Sequence, residues 1–273
     1  MASLPPELEK SIFELTAYSE PKVNKYLYRV LMLRGRETYN HEVWQDYPCD
    51  VFTRLKSIPP SVLRDSIRHL YLELMPIDMC RYLLSTCTAV EDLWINQADS
   101  SLLDLVAALP LRRLHCHPVQ LFSTQEQLDF GHPLFSNLTH LELFVVLPEF
   151  NPSSWIGLTT IPHLTHLSFS DAVSLPLAPS LLQDCKLLRV LVFIFDPDWM
   201  EPEDASVVSS IAPQDLRFVQ MECSAFGKDW RSGALGRGDY WDRADAFIAK
   251  RMSKEIDPAL YVLEGDQSVL IVD

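Results

Sequence analysis

The sequence predicts an α/β solenoid, in which short parallel strands alternate with helical or irregular connections and form one continuous sheet. Three observations predict this architecture. A short apolar pattern recurs seven times at intervals of 21 to 28 residues, segments of helical periodicity separate the copies, and prolines stand on both sides of them. A unit of this length cannot bury its apolar edge alone, so neighbouring units are expected to stack.

Each copy of the pattern has an apolar residue, two residues of any type, a second apolar residue, one of any type, and a third apolar residue. NLTHLELF at 137–144 and HLTHLSFS at 163–170 are two closely similar copies. Alternate side chains of a strand point to opposite faces, so the last two apolar residues of each copy share the inner face. The copies are Ile67/Leu70/Leu72, Val90/Leu93/Ile95, Leu111/Leu114/Cys116, Leu138/Leu141/Leu143, Leu164/Leu167/Phe169, Leu188/Leu191/Phe193 and Leu216/Val219/Met221.

Two of the connections have the periodicity of helices. PIDMCRYLLSTC and DSSLLDLVAALP carry apolar residues at helical spacing, and Asp99 or Ser100 is placed to cap the second helix. These helices are expected on the convex side, and the third and fourth connections have less helical character. We therefore expect about seven parallel strands on the concave side of residues 61–226, with helical caps at both ends.

The C-terminal segment, residues 227–273, is predicted to be one of these caps. Residues 238–252 offer Asp239 as an N-cap and place four apolar residues on one helical face. The stretches ALYVL and VLIV flank EGDQ and are candidates for a closing hairpin. The four apolar residues of the predicted helix are Trp241, Ala244, Ile248 and Met252.

Over about residues 62–226 the spacing of the apolar pattern resembles that of leucine-rich-repeat proteins. The chain departs from regular members at one position. Three residues beyond the last apolar residue, where regular members place Asn to bond the turn backbone, this chain has other residues. The resemblance therefore implies an irregular leucine-rich-repeat solenoid. The residues at this position are Met75, Ala98, Val119, Val146, Ala172, Asp196 and Ser224.

Residues 1–60 begin with a stretch, LPPELEKSIFEL, that resembles the opening of an F-box. Together with YLYRVLML and the irregular repeats, it makes the chain similar to the fungal F-box/leucine-rich-repeat-like proteins. The F-box is incomplete, because the segment after residue 16 passes almost directly into what reads as a first strand. In complete members, the resemblance implies docking on a Skp1-type adaptor of a ubiquitin ligase, here through Leu4, Pro5, Leu8 and Ile12. The alternative is a helix at 4–15 that caps the first repeat.

Strand residues that point away from the inner face predict a binding surface. Aromatic residues and Arg are favoured at such surfaces because they bury large areas and still form hydrogen bonds. The alternative is that loops or the N-terminal cap fold over the concave sheet and turn Trp94 or Phe144 into core. The outward residues Val190, Val192, Ile194 and Phe218 are so apolar that they require a cover, for which the C-terminal segment is a candidate. The candidate partner-binding residues, which include four of the eight histidines, are Tyr71, Trp94, Arg113, His115, His117, His140, Glu142, Phe144 and His166.

Other functional classes lack support in the sequence. A net charge of −14 repels phosphate and anionic lipids, so neither nucleic acid nor a membrane is an expected partner. The HCH at 115–117 has no third ligand at an interpretable spacing, and nucleotide-binding loops are absent, so no metal or cofactor is predicted. His140, Glu142 and Ser168 have the residue types of a hydrolase triad but no nucleophile elbow, so the chain is not predicted to be an enzyme.

The function predicted from these observations is capture of a protein partner on the repeat surface, as in a substrate receptor of a ubiquitin ligase. The alternative is an enzyme or small-ligand-binding protein built on the same scaffold. Six scattered cysteines and an N-terminus without a secretory signal favour the cytoplasm or the nucleus.

Overall fold

A computed structural model defines most of the proposed solenoid and its C-terminal segment. The F-box-like residues Leu4, Pro5, Leu8 and Ile12 lie outside the described residues, and so does the VLIV half of the predicted hairpin. The described residues are 29–35, 55–144, 152–170, 172–195, 215–223 and 225–263.

One open, all-parallel sheet of nine strands runs through the described residues in the order of the sequence. Each connection advances the chain by one strand in the same direction, which gives a solenoid-like α/β architecture. The strands are β1 Val30–Arg34, β2 His69–Glu73, β3 Asp92–Ile95, β4 Arg113–Cys116, β5 His140–Leu143, β6 His166–Phe169, β7 Val190–Phe195, β8 Phe218–Glu222 and β9 Val262–Leu263.

The two strands beyond the expected seven come from the segments predicted to be end caps. β1 lies within residues 1–60 and β9 within 227–273, so the sheet extends into both. β1 has the last two residues of the pattern, Leu31 and Leu33, but Tyr28 stands at the first position in place of an aliphatic residue. β9 is only two residues long, which is too short for any periodicity to show.

The described connections from β1 to β7 pack on one face of the sheet, which we call the first face. Asp99 caps the 3₁₀ turn before α3, because its side chain accepts a hydrogen bond from the Ser101 N–H at 2.9 Å. The β5–β6 connection contains only 3₁₀ helix among its described residues, in line with its weak helical pattern. The helices here are α1 Pro60–Ser66, α2 Ile77–Thr86, α3 Leu103–Ala107, α4 Pro118–Phe122 and α5 Ala178–Asp184, and the 3₁₀ helices are Ser100–Leu102, Pro133–Phe135, Pro152–Thr160 and Ala172–Leu177.

The main core lies between the first face and these connections. The predicted inward residues of the first six copies stack in register on neighbouring strands and are buried, so these six registers are confirmed. The stacked residues form two rows, Leu70, Leu93, Leu114, Leu141, Leu167 and Leu191, and Leu72, Ile95, Cys116, Leu143, Phe169 and Phe193.

The register predicted for the seventh copy is wrong. Phe218 pairs with Leu191 and belongs to the main core, whereas Val219 and Met221 point to the opposite face. On β8 the apolar residues Val219 and Met221 lie on the second face, where an additional helix covers them, and Gln220 pairs with Phe193 on the first face. The apolar alternation of this strand therefore marks the second face and not the main core.

The turn backbones that lack the usual Asn are bonded by other amides. Asn96 Oδ1 accepts a hydrogen bond from the Leu74 N–H at 2.9 Å, and Gln120 Oε1 accepts one from the Ala98 N–H at 3.0 Å. Each bond links a repeat to the turn of the repeat before it. An amide at a neighbouring position therefore replaces the expected Asn in these two turns.

Replacing Leu141 with alanine should lower the free energy of unfolding by about 2 to 5 kcal/mol, because the side chain is fully buried on β5. Leu187→Ala is the matched control: Leu187 is 54% exposed and its replacement should change stability by less than about 0.5 kcal/mol. Urea denaturation of both variants measures the difference. Equal stabilities would contradict the register of β5.

Candidate functional site

The second face of the sheet is formed by the strand residues that alternate with those of the main core. It corresponds to the predicted concave face, and its side chains form rows across the strands. From β2 to β6 these residues are mostly polar or aromatic, whereas from β7 to β8 they are aliphatic. Two rows are His69, Asp92, Arg113, His140, His166 and Val190, and Tyr71, Trp94, His115, Glu142, Ser168 and Val192.

Two helices of the C-terminal segment lie across this face, α6 Phe226–Ala234 and α7 Tyr240–Ser253. Trp230 and Ala234 of α6 pack against Tyr71 and Trp94. The C-terminal segment was predicted to cap the end of the solenoid, and instead it covers the second face. The cover predicted for Val190, Val192 and Ile194 is confirmed. The side chains of α7 that pack on these strand residues are Tyr240, Trp241, Ala244 and Ile248.

The start of α7 follows the sequence prediction. Asp239 is the N-cap and accepts hydrogen bonds from the N–H groups of Trp241 and Asp242, at 3.0 and 3.2 Å. The Asp242 side chain accepts one in return from the Asp239 N–H, which completes a capping box. Met252 was expected on the buried face but is 60% exposed, because the neighbouring Arg251 is the residue that turns toward the sheet.

A buried charge cluster occupies the centre of the second face. His115 Nδ1 lies 2.5 Å from Glu142 Oε2, and His115 Nε2 lies 3.6 Å from Asp92 Oδ1. Asp92 Oδ2 is also 3.1 Å from His69 Nδ1. His115 is 2% exposed and Glu142 is 1% exposed. The imidazole thus lies between two carboxylates in a site that excludes solvent.

This arrangement shifts the pKa values of its members. Burial alone would raise the pKa of Asp92, but the adjacent imidazoles of His115 and His69 outweigh burial and hold that pKa well below its usual value. Burial alone would lower the pKa of His115, but the adjacent carboxylates of Asp92 and Glu142 raise it to about 9. His115 is therefore an imidazolium at neutral pH and compensates its two carboxylates.

Polar groups of the covering helices bond to the same cluster. The Tyr240 hydroxyl donates to Glu142 Oε2 at 3.1 Å and lies 2.9 Å from Ser168 Oγ. Trp230 Nε1 donates to Asp92 Oδ1 at 3.1 Å. Burial strongly raises the pKa of Tyr240, with a further contribution from the Glu142 charge, so this hydroxyl remains protonated. The cluster therefore acts as a polar contact between the sheet and the C-terminal helices.

The aromatic candidate residues Tyr71, Trp94 and Phe144 form one patch beside the buried charge cluster. Tyr71 and Trp94 stack with ring centroids 4.2 Å apart, and Phe144 lies 5.0 Å from Trp94. Trp230 of α6 covers the stack, with its centroid 5.2 Å from that of Tyr71. Arg113, another candidate residue, forms an ion pair with Asp239 at 2.6 Å. The aromatic patch is therefore occupied by α6, and Arg113 binds the N-cap of α7.

The two similar octapeptides of the sequence build a histidine pair. His140 and His166 stack at 4.0 Å with an interplanar angle of 7°, and both rings meet Trp241 edge to face. The threonine before each histidine bonds to the ring: Thr139 Oγ1 lies 2.8 Å from His140 Nδ1, and Thr165 makes the same contact at 2.7 Å. The repeated Thr-His dipeptide thus orients two adjacent imidazoles against α7.

None of the nine candidate partner-binding residues is exposed. The second face is therefore covered in this structure. The alternative of a covering element is confirmed for Trp94, and the C-terminal segment provides the cover. The half-buried candidates are Arg113, His117, His140 and Phe144, and the buried ones are Tyr71, Trp94, His115, Glu142 and His166.

Several residues that complete the site were not singled out from the sequence. Asp92, His69 and Ser168 were placed on the correct face by strand periodicity, but nothing in the sequence identified them as partners of His115 and Tyr240. Trp230 and Tyr240 could have been found only by asking which C-terminal side chains would form hydrogen bonds with the polar residues of a covered face. Among the described residues, no group of three or more His, Cys, Asp or Glu side chains is arranged to hold a metal ion.

Comparison with known proteins does not assign the chain to a family. No family model matches the chain, and neither a curated protein nor a solved structure matches it significantly. None of the described helices is both long and apolar enough to cross a membrane.

Stability should be greatest near pH 6.5 and fall on both sides. Burial, with the charges of His166 and Arg113, holds the pKa of His140 at about 2, and burial also lowers that of His166. An unfolded histidine has a pKa of about 6.5, so below that pH the unfolded state binds protons that the folded state excludes. His115 acts in the opposite direction. Its contribution is complete below about pH 6.5 and is lost as pH rises toward about 9, its folded pKa.

Urea midpoints at pH 5, 6.5 and 9 measure both sides of this profile. In the double variant His140→Asn and His166→Asn the loss of stability between pH 6.5 and 5 should become smaller, because two of the groups that titrate there are removed. The alkaline side should keep its slope, since it depends on His115. An acid side that is unchanged in the double variant would contradict this assignment.

Proposed function

We propose that the chain is a protein-interaction module built on an irregular leucine-rich-repeat solenoid and that it captures a polypeptide partner on the second face of its sheet. The observation that supports this proposal is the occupant of that face. Residues 226–253 already bind there as two helices, through an ion pair, aromatic packing and hydrogen bonds to buried carboxylates. A surface with these complementary groups suits a helical polypeptide.

The composition of the second face favours protein over small-molecule recognition. From β2 to β6 the face combines stacked aromatic rings with Arg113, and aromatic residues and Arg are the residue types enriched where proteins bind each other. Four of the candidate residues are half-buried, among them Phe144. Part of their surface is accessible to a partner before any covering helix moves.

The expected partner contact is tested with Phe144→Ala. Proteins retained by the purified full-length chain are identified by mass spectrometry, each is purified, and its affinity for the chain is measured. Affinity for Phe144→Ala should fall by about 1 to 2 kcal/mol, a factor of about 5 to 30. Leu187→Ala, an exposed residue that precedes β7, is the control and should leave affinity unchanged. A partner insensitive to Phe144→Ala would place the contact elsewhere.

A role as a substrate receptor of a ubiquitin ligase is the second part of the proposal, and the F-box-like stretch at residues 4–15 supports it. A purified Skp1-type adaptor should co-elute with the full-length chain in size-exclusion chromatography. The triple variant Leu4→Ala, Leu8→Ala and Ile12→Ala should elute separately from the adaptor. Separate elution of the unaltered chain would remove the ligase role and leave partner capture in place.

A further inference from the structure

α6 differs from the other helices in the composition of its sequence. Residues 226–238 contain four of the eight glycines of the chain, two within α6 and two in the turn that leads to α7. Gly236 and Gly238 adopt φ values of +72° and +89°, which other residues rarely adopt. A cluster of glycines gives the chain freedom to change direction at this turn, since glycine restricts the backbone least.

The connection from β8 to β9, which contains α6 and α7, crosses the sheet on the second face. The strand order advances from β8 to β9 as it does throughout the described sheet, but α6 and α7 lie on the second face, whereas α1 to α5 lie on the first. A connection on the opposite face has the opposite hand, and only right-handed crossovers are common in parallel sheets. The geometry of an ordinary repeat therefore does not hold α6 in place, and its own contacts must do so.

The contacts described for α6 are of two kinds. On the sheet, Trp230 and the small Ala234 pack in the aromatic patch and Gly227 lies against Tyr71, while Phe226 packs against the apolar cluster of β7, β8 and α7. Toward α7, Asp229 Oδ1 accepts from Arg243 Nη1 at 2.6 Å and Asp229 Oδ2 accepts from the Tyr240 N–H at 2.8 Å. α7 is fixed far more firmly, through several buried side chains and through Arg251.

Arg251 shows how firmly the far end of α7 is anchored. Its guanidinium is 1% exposed and donates to the carbonyl oxygens of Leu216 and Phe218, at 2.9 and 2.8 Å, and to that of Pro258. These bonds tie the helix to β8 and to the chain that precedes β9. Opening of α6 thus need not disturb α7, and the turn at Gly236 and Gly238 is the natural hinge.

We propose that α6 is a lid that occupies the partner site of the second face, and that the partner displacing it is a helical segment with a carboxylate beside an indole ring. This inference rests on the proposed function and names the chemical groups that the partner site recognises. Asp229 and Trp230 are adjacent on α6. Asp229 accepts a hydrogen bond from Arg243, and Trp230 donates one to Asp92. A displacing segment must supply both groups, because otherwise it leaves Asp92 Oδ1 without its indole N–H donor or Arg243 Nη1 without its carboxylate acceptor.

The opened site presents aromatic surface together with these two charges. Displacement of Trp230 uncovers the Tyr71–Trp94 stack and one oxygen of Asp92. An indole is suited to this site because its ring packs on the stack while its N–H reaches the carboxylate. An aliphatic segment would fill the space but leave Asp92 Oδ1 without the N–H donor that Trp230 supplies, so the site selects against it.

The test uses a fluorescein-labelled synthetic peptide of residues 225–238 and the full-length protein. The peptide should bind Trp230→Ala protein at least about tenfold more tightly than unaltered protein, because the ring that blocks the site has been removed. Trp230→Phe, which keeps a ring but loses the N–H, is a milder second variant and should give an intermediate affinity. Peptides carrying Trp230→Ala or Asp229→Asn should bind the opened protein at least about tenfold less tightly.

Hydrogen exchange of the unaltered protein provides an independent measurement. Amides of α6 should exchange through an opening that leaves α7 protected. Exchange of α6 and α7 at one common rate, or equal peptide affinity for unaltered and Trp230→Ala protein, would overturn the lid. The outcome is separable from the proposed function. If the peptide binds but no protein partner is found, the lid is supported and partner capture is refuted. If a partner is sensitive to Phe144→Ala but α6 does not open separately, partner capture is supported and the lid is refuted.

Discussion

Replacing His115 with alanine is expected to lower the free energy of unfolding by about 3 to 5 kcal/mol. The imidazolium lies between Asp92 and Glu142 in the interior, where its hydrogen bonds raise its pKa to about 9. Without it, two carboxylates remain in a site that water does not reach, and Glu142 keeps only the Tyr240 hydroxyl as a donor among the described residues. Urea denaturation at pH 7 measures the loss.

The control removes the charge together with its partner. In the double variant His115→Leu and Glu142→Leu the space is filled by apolar groups, and the Tyr240 hydroxyl can still bond to Ser168. Buried ion pairs replaced in this way often cost little, because the desolvation penalty of both charges disappears. The double variant should therefore be more stable than His115→Ala. The double variant keeps Asp92, so a double variant as unstable as His115→Ala would show that the loss does not come from the uncompensated charge of Glu142.

Strand periodicity was sufficient to predict most of the sheet. From β2 to β7 the apolar row of the first face is regular, so the inward residues could be assigned from the sequence and they stack in register. The prediction was wrong at β8, where the apolar pair Val219 and Met221 lies on the second face and Gln220 lies on the first. Alternation shows which side chains share a face, but it does not show which of two covered faces that is.

The same periodicity placed the candidate site on one face but could not show what covers it. The bond between Trp230 and Asp92 joins residues 138 positions apart, and the pair of Arg113 and Asp239 joins residues 126 positions apart. Local patterns contain no information about such contacts, because they depend on where an entire segment packs. The apolar residues Val190, Val192 and Ile194 did signal a cover, since an aliphatic surface of that extent is rarely exposed to water.

Replacing Trp241 with alanine is expected to lower the free energy of unfolding by about 3 to 5 kcal/mol, as for other fully buried aromatic residues. The indole is 1% exposed, contacts His140 and His166 edge to face and packs in the apolar cluster with Val190 and Val192. Its removal leaves a cavity between α7 and the sheet that the anchored helix cannot close. Thermal and urea denaturation should both report the loss.

Met252→Ala is the matched control for this prediction, because Met252 lies on the same helix, is exposed and should change stability by less than about 0.5 kcal/mol. Comparison with Trp230→Ala separates the two covering helices. If α6 opens locally and α7 does not, the loss caused by Trp230→Ala is limited to the free energy of that opening, whereas Trp241→Ala destabilises the whole sheet. Hydrogen exchange should then accelerate in α6 alone for Trp230→Ala and across β7 and β8 for Trp241→Ala. Equal and global acceleration in both variants would show that the two helices form one cooperative unit with the sheet.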